Sequence, residues 1–316
     1  MNKPLILIAG PTASGKTDIS INLAKRLNGE IICIDSMQIY KQMDIGTAKI
    51  SQDEMDGVPH YMIDELEPTE GSNIAWFKER VTQYINEIHA RNKIPILVGG
   101  TGFYINAILY DTQFEDNEQD TKRRQELFEF AYKNGSEALY AKLQEIDPEG
   151  AKPLHPNNLR RVVRAIEYFE QTGKPISSHN SEQKEKRLNQ KSPYNYCFFV
   201  LDMDRKILYE RINLRVDMMM ERGLLDEVKS LYNQGLTEDL TSMKAIGYKE
   251  FFPYFRGEVS LDFAVDKLKQ NTRNYAKRQL TWFRHQTNPI WVRVDEHGFD
   301  TKNILEIMLN NVEETV

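Results

Sequence analysis

The chain has 316 residues, 40% hydrophobic and 28% charged, with a formal net charge of −6. That length suits one large domain or two ordinary ones, and the balance is that of a globular protein rather than a disordered or fibrous one. No apolar run has membrane-spanning length, the first strand begins too early for a signal peptide, and Cys33 and Cys197 sit singly in apolar runs. Buried reduced thiols and a cytoplasmic setting are the expectation.

The first element is an apolar strand, "LILIA" at 5–9. It is followed by "GPTASGKT" at 10–17 and then by apolar residues at helical spacing, Ile19, Leu23 and Leu27, up to a stop at Asn28-Gly29. Strand, G-x-x-x-x-G-K-[ST] loop and helix together form the context a phosphate-binding P-loop requires. Backbone N–H groups of Gly10, Pro11, Thr12, Ala13, Ser14 and Gly15 (proline excepted) and the helix N-terminus would surround anionic oxygens. Lys16 adds a charge and Thr17 a hydroxyl able to ligate Mg²⁺. The loop alone leaves the phosphate's identity open.

Further strands are predicted at 30–35 ("EIICID"), 94–100 ("IPILVGG"), 196–202 ("YCFFVLD") and 289–294 ("PIWVRV"), with a helix over 74–91. Alternating strands and helices predict an α/β fold: a P-loop NTPase-like, mostly parallel sheet with helices on both faces. The alternation breaks between 112 and 195, where an acidic opening leads into helical patterns and then a polar segment, "SSHNSEQKEKRLNQKS", read as a mobile loop. The domains are therefore drawn as a core of 1–111 with 196–316 and a helical insertion over 112–195. The insertion carries a basic cluster, "RRVVR" at 160–164.

After 203 two amphipathic helices are expected, with Met218, Met219 and Met220 as core packing and with two of Arg205, Arg211 and Arg215 turned toward the phosphate loop. The run at 267–285 has six Lys or Arg and no acid. At about 100° per residue, Lys269, Arg273, Lys277 and Arg284 share one stripe and Tyr275, Trp282 and Leu268 the other, as for a helix packed on the core and facing a polyanion.

Asp35 ends the second strand at the edge where ligands bind in such sheets. Position alone leaves it either a magnesium ligand or a general base. Thr101, in "GGTGFY", comes to the same edge as a hydroxyl that could position a substrate.

"GPTASGKT", "DSMQIY", "DIGTAK", "GVPHYMID", "GGTGFY", "RVVRAIEYFEQTGKP", "LYERINLRVDMMMERGLLDEV", "AIGYKEF" and "YAKRQLTWFR" occur in this order from residue 5 to about 292. The set resembles the bacterial tRNA dimethylallyltransferases, or tRNA isopentenyltransferases. The resemblance implies transfer of a dimethylallyl group from dimethylallyl diphosphate to the N6 amine of the adenine just 3′ of the anticodon, in tRNAs reading codons that begin with U. It implies Mg²⁺ as cofactor, the anticodon stem-loop as partner, no membrane, and a monomer. Gly10–Thr17 would hold the diphosphate, with Lys16, Arg215 and Thr17-bound Mg²⁺ stabilising the leaving group. Asp35 would be the base and Thr101 a contact near the reacting centre. Asp35, Ser36, Met37 and Gln38 would line the adenine pocket. Arg123, Arg160, Arg161, Val162, Val163, Arg164, Arg273, Lys277, Arg278 and Gln279 would complete the tRNA contacts. Lys49 receives no role, and His60 reads as a structural hydrogen bonder. The rival readings are a P-loop small-molecule kinase, an enzyme prenylating free adenine nucleotides, and a non-catalytic RNA-binding protein.

Overall fold

The structure is a computed structural model that describes residues 3–110, 121–189 and 192–315. The acidic run at 111–120 lies outside the described residues. The chain divides into two compact units, Met1–Asp111 with Ser192–Val316, and Thr112–Lys191. The elements run β1 (Lys3–Ala9), α1 (Lys16–Leu27), β2 (Gly29–Cys33), β3 (His60–Tyr61), α2 (Ile74–Ala90), β4 (Ile94–Gly99) and α3 (Gly102–Leu109). The helical unit follows with α4 (Thr121–Asn134), α5 (Ser136–Ile146), α6 (Pro148–Ala151), α7 (Leu159–Thr172) and α8 (Ile176–Asn189). The core resumes with β5 (Tyr194–Asp202), α9 (Arg205–Glu221), α10 (Leu224–Asn233), α11 (Phe252–Phe255), α12 (Leu261–Gln286), β6 (Ile290–Arg293) and α13 (Thr301–Thr315).

The core unit is one sheet in the order β3-β2-β4-β1-β5-β6, parallel at every pairing. Its strands read as unbroken apolar runs because both faces are covered. Leu5, Leu7 and Ala9 enter the core that holds Phe77, Val81 and Ile85 of α2. Ile6 and Ile8 alternate to the other core, against Ile19 and Leu23 of α1 and Leu208 and Ile212 of α9. α1 ends at Asn28, whose left-handed φ of 50° lets its N–H bond Ala24 O. β2 begins at the next residue.

The helical unit packs α4, α5 and α7 around Leu127, Leu139, Leu143, Val162, Val163 and Ile166. The polar segment read as a loop is instead α8, through Asn189. Low hydrophobicity excludes a core-forming face but not a helix, and its Glu, Lys, Gln and Arg are good helix formers. The Ser177 N–H at its start donates to Asp147 Oδ2 at 2.9 Å. β3 went unread because two residues carry no periodicity. Met219 and Met220 pack on the core as expected, whereas Met218 is half exposed.

Candidate active site

Register assembles the site. Ala9 pairs with Gly99 and Cys33 with Val98, so the C-terminal ends of β1, β4 and β2 lie side by side. The loop 10–17, Thr101 and Asp35 therefore share one edge of the sheet. β1 lies between β4 and β5, the crevice where ligands bind in open parallel sheets.

The loop is shaped for an anion. Gly10 has φ +149°, and a Cβ there would stand 2.8 Å from Leu201 O, so only glycine fits. α1 opens on Gly15 with no side-chain cap, which leaves first-turn N–H groups for a ligand. Ser14 Oγ is buried without a hydrogen-bond partner among the described residues. Lys16 Nζ donates to Gly10 O at 3.0 Å and Pro11 O at 2.7 Å. Arg211 Nε donates to Ala13 O at 3.0 Å while its guanidinium lies over the Phe299 ring.

Three charges dominate. Burial, and then the Arg215 charge, lower Lys16 to about 8, with Asp35 opposing. Burial also pushes Arg215 down, again against Asp35. Burial pushes Asp35 above the ordinary carboxylate range, opposed by the Met37 N–H, Lys16, the Gln38 N–H and Arg215. The Met37 N–H lies 2.8 Å from Asp35 Oδ1. Two cations facing one carboxylate leave positive potential for a polyanion, and a desolvated carboxylate is a stronger proton acceptor than one in water.

Thr101 caps the start of α3, and its buried Oγ1 has no partner of ordinary hydrogen-bond geometry among the described residues, although the Tyr275 hydroxyl lies beside it. Burial first, and then the Asp35 charge, raise Tyr275. Burial, Tyr40 and Asp35 raise Tyr104 to about 12. Both tyrosines thus stand by the carboxylate as neutral phenols, and sequence reading assigned neither to the site. Tyr275 was visible only as the inward residue of an amphipathic helix.

Several of the expected contact residues are engaged within the chain. Gln38 was expected to offer its amide to a base. Instead Nε2 donates to Thr47 O at 3.0 Å and Ala48 O at 3.3 Å, and Oε1 accepts from Cys33 Sγ at 3.1 Å. It ties the loop after Asp35 to β2. Ser36 and Met37 are partly exposed beside it. Gln279 is 7% exposed, and its side chain bonds the Thr12 N–H and the Gly100 carbonyl inside the core unit. Val162 and Val163 are at most 1% exposed: helical periodicity turns them into the core of the helical unit and leaves Arg160, Arg161 and Arg164 outside. Arg123 pairs with Glu170 at 2.6 Å and Glu126 at 3.0 Å. The continuous cationic stripe on α12 is also corrected. Lys269 pairs with Asp217 at 2.5 Å, Arg273 with Asn213 at 2.6 Å and Arg284 with Asp202 at 3.0 Å. Lys277 and Arg278 are exposed neighbours, and Arg284 is exposed beside its bond to Asp202.

Lys49, left without a role, is a clamp. Its side chain is 4% exposed and Nζ bonds Asp44 at 2.6 Å, Asp64 at 2.5 Å and Tyr40 O at 2.8 Å. His60 Nδ1 lies 2.8 Å from Val58 O, a structural bond. Glu227 was missed. Its carboxylate accepts the N–H groups of Asp44, Ile45 and Gly46 at 2.7–3.0 Å and the Tyr248 hydroxyl at 2.6 Å, pinning "DIGTAK" to α10. An acid just inside a helix after Gly223 was its only signal.

The described residues hold no cluster of three or more His, Cys, Asp or Glu able to cage a metal. They do leave Thr17 exposed at the end of the loop, and Asp35 lies near enough to Lys16 for each to act on the other's charge. That donor set fits Mg²⁺, which takes few protein oxygens and completes its shell with phosphate and water.

The family profile for IPP transferase matches residues 38–286. A tRNA dimethylallyltransferase of Lachnoclostridium phytofermentans is 50% identical over 306 residues, 97% of this chain and 96% of that one. One of Bacillus cereus is 52% identical over 299 residues, 95% of this chain and 92% of that one. Among solved structures, a tRNA isopentenylpyrophosphate transferase of Bacillus halodurans superposes with a TM-score of 0.72 at 46% identity, covering 99% of this chain and 98% of that one. A eukaryotic dimethylallyltransferase acting on tRNA gives 0.79 at 31% identity, covering 98% of this chain and 79% of that one. No helix of the described residues is long and apolar enough to cross a membrane. Family profile, full-length relatives and superposition agree with one another and with the P-loop edge, and this chain belongs to the family of IPP transferases, the tRNA dimethylallyltransferases.

Proposed function

We propose that the protein transfers a dimethylallyl group from dimethylallyl diphosphate to the N6 amine of the adenine 3′-adjacent to the anticodon, in tRNAs reading codons that begin with U. The observation that carries the reading is a desolvated carboxylate, Asp35, which shares the strand-end edge with an uncapped P-loop and interacts with the charges of Lys16 and Arg215. The loop N–H groups, the α1 terminus, Ser14 and Lys16 hold the diphosphate. Mg²⁺, held through Thr17 and the diphosphate, would supply further charge neutralisation on the leaving oxygen.

As the adenine nitrogen attacks the allylic carbon, the C–N bond forms and the C–O bond breaks. The electron pair of the broken bond departs with the diphosphate, where Lys16 and Arg215 stabilise it. The proton on the nitrogen passes to Asp35, which the Met37 N–H orients. Thr101 Oγ1 and the Tyr275 and Tyr104 phenols supply neutral hydrogen-bonding groups around the base, which must leave its stack to reach them. Lys277 and Arg278 of α12, and Arg160, Arg161 and Arg164 of α7, are exposed cations suited to RNA phosphates. These features support tRNA over a kinase substrate or a free nucleotide, neither of which needs a basic surface.

The testing experiment is single-turnover transfer to an anticodon stem-loop by wild-type protein and Asp35→Asn. Transfer by the wild type and a collapse of the chemical step in the variant, with stem-loop binding retained, is expected. Phosphoryl transfer from ATP without prenyl transfer would select the kinase reading.

A further inference from the structure

α12 sends three inward side chains to the ligand-binding edge. Tyr275 stands beside Thr101, Gln279 reaches two loops, and the Trp282 ring covers Gly102 where a Cβ would otherwise lie. Gln279 makes the most specific contacts. Its Oε1 accepts the Thr12 N–H at 3.3 Å, and its Nε2 donates to Gly100 O at 3.0 Å. One buried amide thereby ties the middle of the diphosphate loop to the end of β4. A backbone N–H can only donate and a carbonyl can only accept, so just a primary amide of this length satisfies both at once.

Gly100 preserves the space for that amide. A Cβ at 100 would land on Gln279 Nε2, the mobile end of a side chain, with Gly10 O the nearest backbone atom at 3.3 Å, so the amide is displaced first. Nothing else among the described residues is seen to hold Thr12, and the loop's other side-chain fastenings there are Lys16 on Gly10 and Pro11, Arg211 on Ala13 and, where the loop enters α1, Ser20 on Thr17. Lys16 is the group that must turn from those carbonyls to a phosphate. Arg211 and Gln279 are then what keep the loop in shape while it does so.

We infer that Gln279 is a positioning residue for the diphosphate site: by bridging Thr12 and Gly100 it holds the phosphate loop in register with Thr101, and it acts on the prenyl donor rather than on RNA. The inference deepens the proposed prenyl transfer and rests on it for the donor's identity. The bridge itself is defined by contacts to the backbone. Gln279 lies on the same helix as the exposed Lys277 and Arg278, so one helix serves two ligands from two faces.

The test compares wild-type protein with Gln279→Met, which keeps the volume and removes both hydrogen bonds, and with Gly100→Ala, which displaces the amide while leaving it intact. Inorganic diphosphate binding with Mg²⁺ is measured by calorimetry, and KM is measured separately for dimethylallyl diphosphate and for the stem-loop. Both variants should raise the diphosphate Kd and the donor KM roughly tenfold, with the stem-loop KM within about twofold. Adding Gly100→Ala to Gln279→Met should cost little more, because the bridge is already gone. An unchanged donor KM and diphosphate Kd, or a rise confined to the stem-loop KM, overturns the inference. Failure of both variants to fold also overturns it, since the bridge would then serve stability alone. A wild type that binds diphosphate but prenylates nothing refutes the proposed reaction while the Kd values still judge the bridge.

Discussion

The two units use buried charge in opposite ways. In the helical unit each half-buried arginine among the described residues meets its own carboxylate: Arg124 forks onto Glu167 at 2.9 and 2.7 Å, and Arg123 onto Glu170 at 2.9 and 2.6 Å. At the P-loop edge of the core, Lys16 and Arg215 both act on Asp35, Glu54 answers Arg215 only weakly beside Arg211 and Arg222, and burial displaces Lys16, Arg215 and Asp35 from their ordinary values. Locally cancelled charge fixes helices. Charge left over, in a place where water is scarce, is available to a ligand that brings the missing negative charge.

The contrast can be broken at several points. Asp35→Asn should lower the chemical step by about 10³-fold or more while leaving stem-loop affinity within about threefold, as read by single-turnover transfer and filter binding. Lys16→Met should lower kcat/KM for the donor by about 10²–10³-fold, the scale for losing one donor to a developing anion. In the helical unit, Arg124→Leu should leave transfer by the folded protein intact and cost about 3 kcal/mol in urea unfolding, because the Glu167 carboxylate would lie buried and unpaired. Changing Arg160, Arg161 and Arg164 together to Ala should weaken tRNA binding about tenfold and flatten its salt dependence, with little loss of stability. If Arg124→Leu weakens RNA binding as much as the triple change does, the division between structural and ligand-facing arginines fails.

The pH profile sharpens the same contrast. Asp35 works as the carboxylate, so kcat/KM should fall as pH drops through a value above the ordinary carboxylate range of about 4. Lys16 works as the ammonium, so the free enzyme should lose donor binding as pH rises through about 8. Asp35→Asn should abolish the acid limb of the profile and keep the alkaline one.

Much of this was legible in the amino-acid sequence, for reasons that particular residues make plain. The run Leu5–Ala9 before Gly10 announces a strand buried on both faces, and the spacing of Ile19, Leu23 and Leu27 announces α1. Gly15-Lys16-Thr17 between the two announces the phosphate loop. Asp35 and Thr101 were placed because strand ends in a parallel sheet converge. What stayed hidden depends on partners far away in the chain. Gln279 lies 267 residues from Thr12, and nothing in "AKRQLTWFR" distinguishes an amide that binds RNA from one that binds backbone. Lys269, Arg273 and Arg284 formed a stripe by angle, but Asp217, Asn213 and Asp202 of other elements occupy them. The bonds that Gln38 makes to Thr47, Ala48 and Cys33 with both ends of its amide have no signature in "DSMQIY". α8 was obscured because composition reports whether a segment can build a core, not whether it is helical.

The account turns on one event, capture of a prenyl group by an adenine amine as diphosphate leaves the P-loop. Its most direct test is to incubate wild-type protein with Mg²⁺, labelled dimethylallyl diphosphate and an unmodified anticodon stem-loop bearing adenine 3′ of the anticodon, then digest the RNA and weigh its nucleosides. One adenosine per stem-loop should gain the five-carbon label, with diphosphate released in equal amount and no transfer when that adenine is replaced by guanine. Unlabelled nucleosides under these conditions, or label that persists after the adenine is replaced, would contradict the account.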